Sequence, residues 1–186
     1  VYRKPIVYDE VKYEGNIERR WGQLSGPEMV HRFWSGTVAG TYVGHGDCFV
    51  SESETAWISF GGKLSGTSAP RLAFLRRILE EGPPEGLDPI DKWQDVTMAG
   101  RPGEYYLIYF GREARSSWDF QLYKTGIEDG MQFSAEVIDT WEMTVEPVAG
   151  VFVTKMKDSY HYVDEGGRSI SLPEKPGMAL RLSRIR

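Results

Sequence analysis

The segment at residues 25–43 reads SGPEMVHRFWSGTVAGTYV and decides the predicted fold, because it contains a helix signal followed at once by a strand. Residues 25–28 form a capping box with a proline in the first helical turn. Gly40 can end the helix, and Thr41–Val43 begins a strand. The apolar positions recur at helical spacing, at Met29, Val30, Phe33, Trp34 and Val38.

An earlier apolar run, Lys4–Tyr8, makes this segment part of a strand–helix–strand unit. Near-continuous apolarity is typical of a parallel strand that is buried on both faces. A second helix follows, with Ser68 as its N-cap, Pro70 in its first turn and Gly82 at its end. Residues 83–86 read PPEG and predict a linker.

The second half of the chain has the two-residue periodicity of β-strands and contains no helix signal. Its β-branched and aromatic runs are separated by turn residues, which is typical of an antiparallel sandwich. We therefore expect two domains, residues 1–88 and residues 89–186. Trp141 is predicted to anchor the sandwich core, on the same face as Phe133. Asp139 shares that parity, so either it is buried and bonded to backbone or a bulge at Ile138 resets the register.

The first half alone cannot complete an α/β domain, because two parallel strands leave sheet edges unpaired. Either it packs on the sandwich as a small α/β layer, or it is the end of a larger domain. The chain opens close to a buried strand, which favours the second alternative. We then expect the chain to associate with a missing N-terminal portion or with another copy of itself.

Composition excludes several classes of protein. The net charge of −5 argues against nucleic-acid binding, which relies on excess positive charge to contact phosphates. No stretch approaches the length of a membrane span. Cys48 is the only cysteine, so no internal disulfide can form, and we expect a cytoplasmic location. The three histidines lack metal-ligand spacing, so neither a metal nor a cofactor is predicted.

Polar side chains follow both predicted strands of the first half. Asp9 and Glu10 follow the first strand, and His45 and Asp47 follow the second. A glycosidase needs a carboxylate nucleophile and a carboxylic acid, together with aromatic rings that stack on sugars. Three rings are near in sequence, at Tyr13, Trp21 and Trp57. The alternative is that the acids are ordinary solvated residues after a strand.

Several motifs together resemble the apiosidase-like branch of bacterial TIM-barrel glycoside hydrolases. They read KPIVYDEVKYEGNI from Lys4, EMVHRFWSGTVAGTYVGHGDCF from Glu28, and AWISFGGKLSG from Ala56. The motifs GEYYLIYFG and EVIDTWEMT resemble the β-sandwich that follows the barrel in that branch. The resemblance implies an α+β chain made of the last two βα units of a TIM barrel followed by an antiparallel β-sandwich.

The resemblance also implies a retaining mechanism with Glu10 as the nucleophile. The general acid would lie outside this chain, so the isolated chain is expected to be an inactive C-terminal portion of the enzyme. The predicted substrate is a carbohydrate, contacted by Tyr13, Glu14, His45, Asp47 and Trp57. Asp47 stands where the family usually has glutamate. The alternative function is a non-catalytic carbohydrate-binding or structural β-sandwich module.

Overall fold

The structure is a computed structural model that describes residues 4–50, 55–56, 64–90 and 96–186. Of these residues, 38% are in strands and 15% in helices, so the protein is mostly β. Two helices are present in the described parts of the chain, and both belong to the first half. The second half is antiparallel β structure, as its two-residue periodicity predicts.

Both helices form where their capping residues predict them. Helix α1 spans Gly26–Val38, and the Ser25 hydroxyl accepts a hydrogen bond from the backbone N–H of Glu28 at 3.4 Å. Helix α2 spans Ala69–Glu80 and has a proline in its first turn. Gly40, just beyond α1, has a φ of +85°, a conformation that favours glycine. For α1 the local signal was sufficient, because its cap involves only neighbouring residues. At α2 the Ser68 hydroxyl makes no cap bond and donates to Glu14.

Five short strands lie in the first half and form two small sheets. They are β1 (Ile6–Tyr8), β2 (Glu14–Gly15), β3 (Thr41–Val43), β4 (Asp47–Val50) and β5 (Thr55–Ala56). Strands β1 and β3 pair in parallel, and α1 connects them; we call them the parallel pair. Strand β2 pairs in parallel with β4, which pairs antiparallel with β5.

The main sheet contains nine of the described strands. The strands after α2 are β6 (Asp88–Pro89), β7 (Thr97–Arg101), β8 (Tyr105–Tyr109), β9 (Ser117–Asp119), β10 (Gln121–Tyr123), β11 (Gln132–Asp139), β12 (Thr144–Pro147), β13 (Phe152–Met156), β14 (His161–Asp164), β15 (Ser169–Ser171) and β16 (Met178–Ile185). Eight strands of the main sheet lie in the order β10-β14-β13-β11-β16-β8-β7-β6, and β12 pairs with β11 beside this path. Strands β9 and β15 form a separate antiparallel ribbon.

The main sheet buries apolar side chains on both faces. One face carries the larger core, with Phe133, Tyr106 and Phe152, and the β9–β15 ribbon adds Trp118 and Ile170 to it. The other face packs against the two helices. That helix–sheet core includes Trp34 of α1, Ile78 of α2, and Leu107, Ile138 and Ala179 of the main sheet. Burial of each large apolar side chain stabilises the folded state by about 1.5–3 kcal/mol.

The predicted fold class is wrong: the described residues contain no TIM-barrel βα units. The predicted strand–helix–strand connection is present in the parallel pair and α1, but it does not define the fold. The physical reason is that the apolar faces of both helices pack on the antiparallel main sheet. The division into residues 1–88 and 89–186 stays a prediction, and β6 spans that proposed boundary while pairing with β7.

Trp141 was predicted to anchor the same core as Phe133, and this prediction is wrong. The β11 residues Phe133 and Ala135 face the larger core, whereas Trp141 packs at the helix–sheet core on the opposite face. The chain reverses after β11, so parity along the sequence no longer reports the face. Asp139 is buried and accepts hydrogen bonds from the backbone N–H groups of residues 141 and 142, at 3.0 and 2.9 Å. The register through Ile138 is regular, so the backbone-bonded alternative is confirmed.

Candidate functional site

The carboxylate of Glu10 is exposed at the end of β1 and interacts with the hydroxyl of Tyr13. Burial, the hydrogen bond with Glu10 and the negative charge of that carboxylate together raise the pKa of Tyr13 to about 12. The phenol therefore stays protonated at neutral pH and can donate to the carboxylate. The buried Tyr13 ring is held edge-on against Trp21, with 5.5 Å between ring centroids. Glu10 is thus an accessible carboxylate beside a hydrogen-bond donor.

A cavity of about 510 Å³ lies between β1 and α1, and Glu10 lines it. Glu28 and Arg32 of α1 form an ion pair in its wall, with 2.8 Å between the Arg32 Nε and a Glu28 carboxylate oxygen. Arg112 also pairs with Glu28. These charges surround the cavity with both donors and acceptors, and its volume is in the range of small-molecule sites.

Glu14 lies beneath the N-terminus of α2 and is only 4% exposed. Its carboxylate accepts hydrogen bonds from the backbone N–H groups of Thr67 and Ser68, at 2.8 and 3.0 Å, and from both their hydroxyls. Burial raises the pKa of Glu14, but the hydrogen bonds from Ser68 and Thr67 outweigh it and lower the pKa overall. The positive end of the helix dipole also favours an anion here. These contacts favour a structural role, and the assignment of Glu14 to substrate binding stays a prediction.

Asp47 lies next to Glu14 because the two residues are register partners between β2 and β4. One of its carboxylate oxygens accepts hydrogen bonds from the backbone N–H groups of Ser65 and Gly66, both at 2.9 Å. Four consecutive amides, residues 65–68, therefore bind two buried carboxylates, and we call this arrangement the amide clasp. The other oxygen of Asp47 is buried and has no hydrogen-bond partner among the described residues.

His45 is partly buried between the parallel pair and α1, with its ring edge-on to Phe33 at 5.1 Å between centroids. Its Nδ1 atom is buried and has no hydrogen-bond partner in the described parts of the chain. Cys48 is a free and fully buried cysteine. Burial and the nearby carboxylates of Asp47 and Glu10 raise the pKa of the Cys48 thiol, so it is not an activated nucleophile.

The loops after β1 and β3 run side by side, as the sequence predicted. The backbone N–H of Val11 donates to the carbonyl of Gly44 at 3.3 Å, and the Tyr13 ring packs against Gly46. Glu10, Tyr13 and His45 therefore lie on adjoining loops, and Asp47 begins β4 directly after the second loop. Trp57 lies outside the described residues. Sequence analysis missed the amide clasp, although the short run of Ser, Gly and Thr residues before α2 was a signal of it.

The described residues contain no group of three or more His, Cys, Asp and Glu side chains that could hold a metal ion. Neither helix in these residues is long and apolar enough to cross a membrane. The chemistry available at the site is that of carboxylates, a phenol, an imidazole and backbone amides.

A family described as a domain of unknown function, DUF5605, matches residues 93–183. No curated protein matches the chain. The chain is similar to a solved structure of a "putative glycoside hydrolase" from Bacteroides vulgatus ATCC 8482, with 34% identity and a TM-score of 0.91. That match covers 99% of this chain and 37% of the Bacteroides protein.

A second solved structure, described as a glycoside hydrolase, has a TM-score of 0.57 and 13% identity. It covers 97% of this chain and 42% of that protein, and at this identity it shows a similar fold alone. This chain therefore spans well under half of either solved structure. The 34% identity relates it to a protein that is named as a "putative glycoside hydrolase".

Proposed function

We propose that this chain forms part of a retaining glycoside hydrolase in which Glu10 is the nucleophile. The observation that carries the proposal is the 34% identity over 99% of the chain to the Bacteroides protein. The exposed carboxylate of Glu10 beside the protonated Tyr13 hydroxyl supplies the chemistry that this relationship requires. The catalytic role of Glu10 and the retaining mechanism are both parts of this proposal.

In the proposed reaction, a Glu10 carboxylate oxygen bonds to the anomeric carbon of the sugar as the bond to the leaving-group oxygen breaks. A second carboxylic acid protonates the leaving group and then, as a carboxylate, takes a proton from the water that hydrolyses the glycosyl ester. The Tyr13 hydroxyl orients the Glu10 carboxylate by donating to it. In this proposal His45 and Asp47 contact the sugar, and Trp57 stacks on a sugar ring.

The second carboxylic acid would come from a further segment of a longer polypeptide that docks on the parallel pair. Ile6, Val7 and Tyr42 are 58%, 61% and 68% exposed, although apolar strands of this kind are normally covered. The solved relative is much longer than this chain, which covers 37% of it. A second copy of this chain is the alternative occupant, and it would be detected as a dimer.

The chain alone is expected to have no glycosidase activity, because it lacks the proposed acid. Removal of a general acid costs about 10²–10⁴-fold in rate. The measurement is release of the aryl group from a panel of aryl glycosides. Turnover by this chain alone that Glu10→Gln abolishes would overturn the division of the catalytic residues between two segments.

A chimera tests the nucleophile directly. This chain replaces the matching part of the Bacteroides protein, and the chimera is assayed on the same panel. Glu10→Gln should lower kcat by at least about 10³-fold, since it removes the nucleophile. Asp9→Asn is the matched control, because Asp9 is the adjacent exposed carboxylate, and it should retain most activity.

Azide rescue distinguishes the mechanism from a mere loss of folding. In the Glu10→Ala chimera, azide should attack the anomeric carbon from the vacated face and give a glycosyl azide of inverted configuration. A folded and active chimera in which Glu10→Gln retains full activity would exclude Glu10 as the nucleophile.

A further inference from the structure

A second cavity, of about 460 Å³, lies between the N-terminus of α1 and the turn after β11. It shares Glu28, His31 and Arg112 with the Glu10 cavity, so these three residues form the wall between the two. Its volume is in the range of sites that hold small ligands. The proposed hydrolysis does not use this cavity.

Aromatic side chains line part of the cavity. Trp141 is partly exposed there, and the guanidinium of Arg71 lies 3.6 Å from its ring centroid. The Arg71 Nε also donates to the Trp141 carbonyl at 2.9 Å, which fixes the residue from two directions. A fixed and partly exposed indole offers the apolar surface on which the C–H face of a sugar can stack.

Four charged groups around the cavity form two pairs, and the exposed Glu142 is a fifth charged group in the wall. Glu28 accepts a hydrogen bond from Arg112, and Asp139 forms an ion pair with Lys175. The Arg112 and Lys175 side chains are 68% and 43% exposed, so each can turn a remaining N–H toward a ligand. Because both cations face anions and Glu142 adds a further carboxylate, the cavity does not select for an anionic ligand. It suits a ligand whose groups both donate and accept hydrogen bonds.

His31 adds a neutral polar group to the wall. Its Nδ1 atom lies 3.1 Å from the Tyr109 hydroxyl and 3.4 Å from the Ser35 hydroxyl. Burial and the neighbouring Arg112 lower the pKa of His31, and the negative charge of Glu28 only partly opposes this. A neutral imidazole carries one donor and one acceptor nitrogen. Hydroxyl groups of a ligand match that combination.

We propose that this cavity binds a neutral sugar residue, at a site separate from Glu10. The C–H face of the sugar packs on Trp141, and its hydroxyls bond to Glu28, Arg112 and Lys175. This proposal goes beyond the hydrolysis proposed above, since binding here requires neither Glu10 nor a general acid.

The test is a titration of the full chain followed through the six tryptophan indole N–H signals in ¹H–¹⁵N NMR spectra. The probes are the methyl glycosides of xylose, glucose, galactose and arabinose, up to about 50 mM, which is well above a millimolar Kd. At least one should shift the Trp141 signal saturably, and Trp141→Phe identifies that signal by removing it. Glucuronate, the charged counterpart of glucose, should bind no more tightly than methyl glucoside.

Two surface substitutions keep the test independent of folding. Arg112→Met and Lys175→Met should each raise the Kd about 3–10-fold, by the loss of one hydrogen bond. Arg76→Met, at an exposed position of α2, is the matched control and should leave the Kd unchanged. Glu10→Gln should also leave it unchanged, which separates this site from the proposed catalytic one.

Three outcomes overturn the proposal. The first is that no probe shifts the Trp141 signal, and the second is that Arg112→Met and Lys175→Met leave the Kd unchanged. The third is that glucuronate binds more tightly than methyl glucoside, because the cavity would then select charge.

Discussion

Strands β8 and β1 are alike in sequence and opposite in burial. Strand β8 reads YYLIY, and all five of its residues are buried between the larger core and the helix–sheet core. Strand β1 reads IVY, and all three of its residues are exposed. The two strands differ in what packs against them. The helices cover one face of β8 and the larger core covers the other, whereas the outer side of the parallel pair is exposed to solvent. An apolar strand sequence therefore indicates that burial would be favourable. It does not show that the same chain supplies the residues that bury the strand.

The comparison predicts a large loss of stability for a truncation within the main sheet. Phe133 is fully buried on β11, where its ring contacts those of Tyr106 and Phe120. Phe133→Ala should lower the free energy of unfolding by about 3–5 kcal/mol. Urea unfolding followed by tryptophan fluorescence measures this. Tyr160→Ala, at an exposed ring, is the control and should change stability little.

The main sheet should also lose stability in acid through Asp164. Hydrogen bonds from Arg168 and from the backbone hold the pKa of Asp164 at about 2 despite burial. Because the folded pKa is below the unfolded value of about 4, the contribution is present above pH 4 and is lost as the pH falls toward 2. Asp164→Asn should lower the free energy of unfolding by about 2 kcal/mol at pH 7 and less at pH 2.

The control for this pH dependence is Glu165→Gln, next in sequence and exposed. It should leave both the stability at neutral pH and the slope of stability against pH nearly unchanged. Equal acid sensitivity of the parent chain and of Asp164→Asn would contradict the role of this carboxylate.

A smaller effect is expected in the first half, at the amide clasp. In Glu14→Gln the side-chain NH₂ replaces one acceptor oxygen, so a donor of Thr67 or Ser68 loses its partner. The free energy of unfolding should fall by about 1–2 kcal/mol. The pKa of Glu14 is lowered on folding, so the difference from the parent chain should shrink as the pH falls below the unfolded value of about 4.3. Glu18→Gln, at an exposed position, should have no such effect.

The smallest effect is expected on the parallel pair itself. Val7→Ser should change the stability of this chain by no more than about 0.5 kcal/mol, because the side chain is already exposed. In the chimera with the Bacteroides protein, the same substitution should cost about 1–3 kcal/mol if the added segment covers β1. The measurement is urea unfolding of both proteins. Equal costs in the two proteins would argue against docking at this surface.

The features that local sequence determines were predictable. The Ser25 cap and the apolar spacing after it gave α1, and the two-residue periodicity of Phe133, Ala135 and Val137 gave β11. Strands β7 and β15 were not predicted, because each contains a single β-branched residue and no aromatic residue.

Features that depend on distant contacts were not predictable. The fold class was wrong because the sequence analysis favoured the end of a larger domain over a small α/β layer on the second half. Helices α1 and α2 do pack on the antiparallel main sheet, and nothing local to either helix shows that strands formed much later in the chain cover its apolar face. The position of Glu10 at the end of a strand was predictable from spacing. The burial of Glu14 was not, since its partners lie more than fifty residues away.

The amide clasp has a consequence for exchange with solvent. Backbone amides in a connecting segment ordinarily exchange their hydrogens quickly, because local opening of such a segment costs little free energy. The amides of residues 65–68 are instead bound to buried carboxylates, so they should exchange as slowly as amides in a strand. The exchange rates of these four amide hydrogens therefore measure how often the first half opens, and no substitution is needed for the measurement.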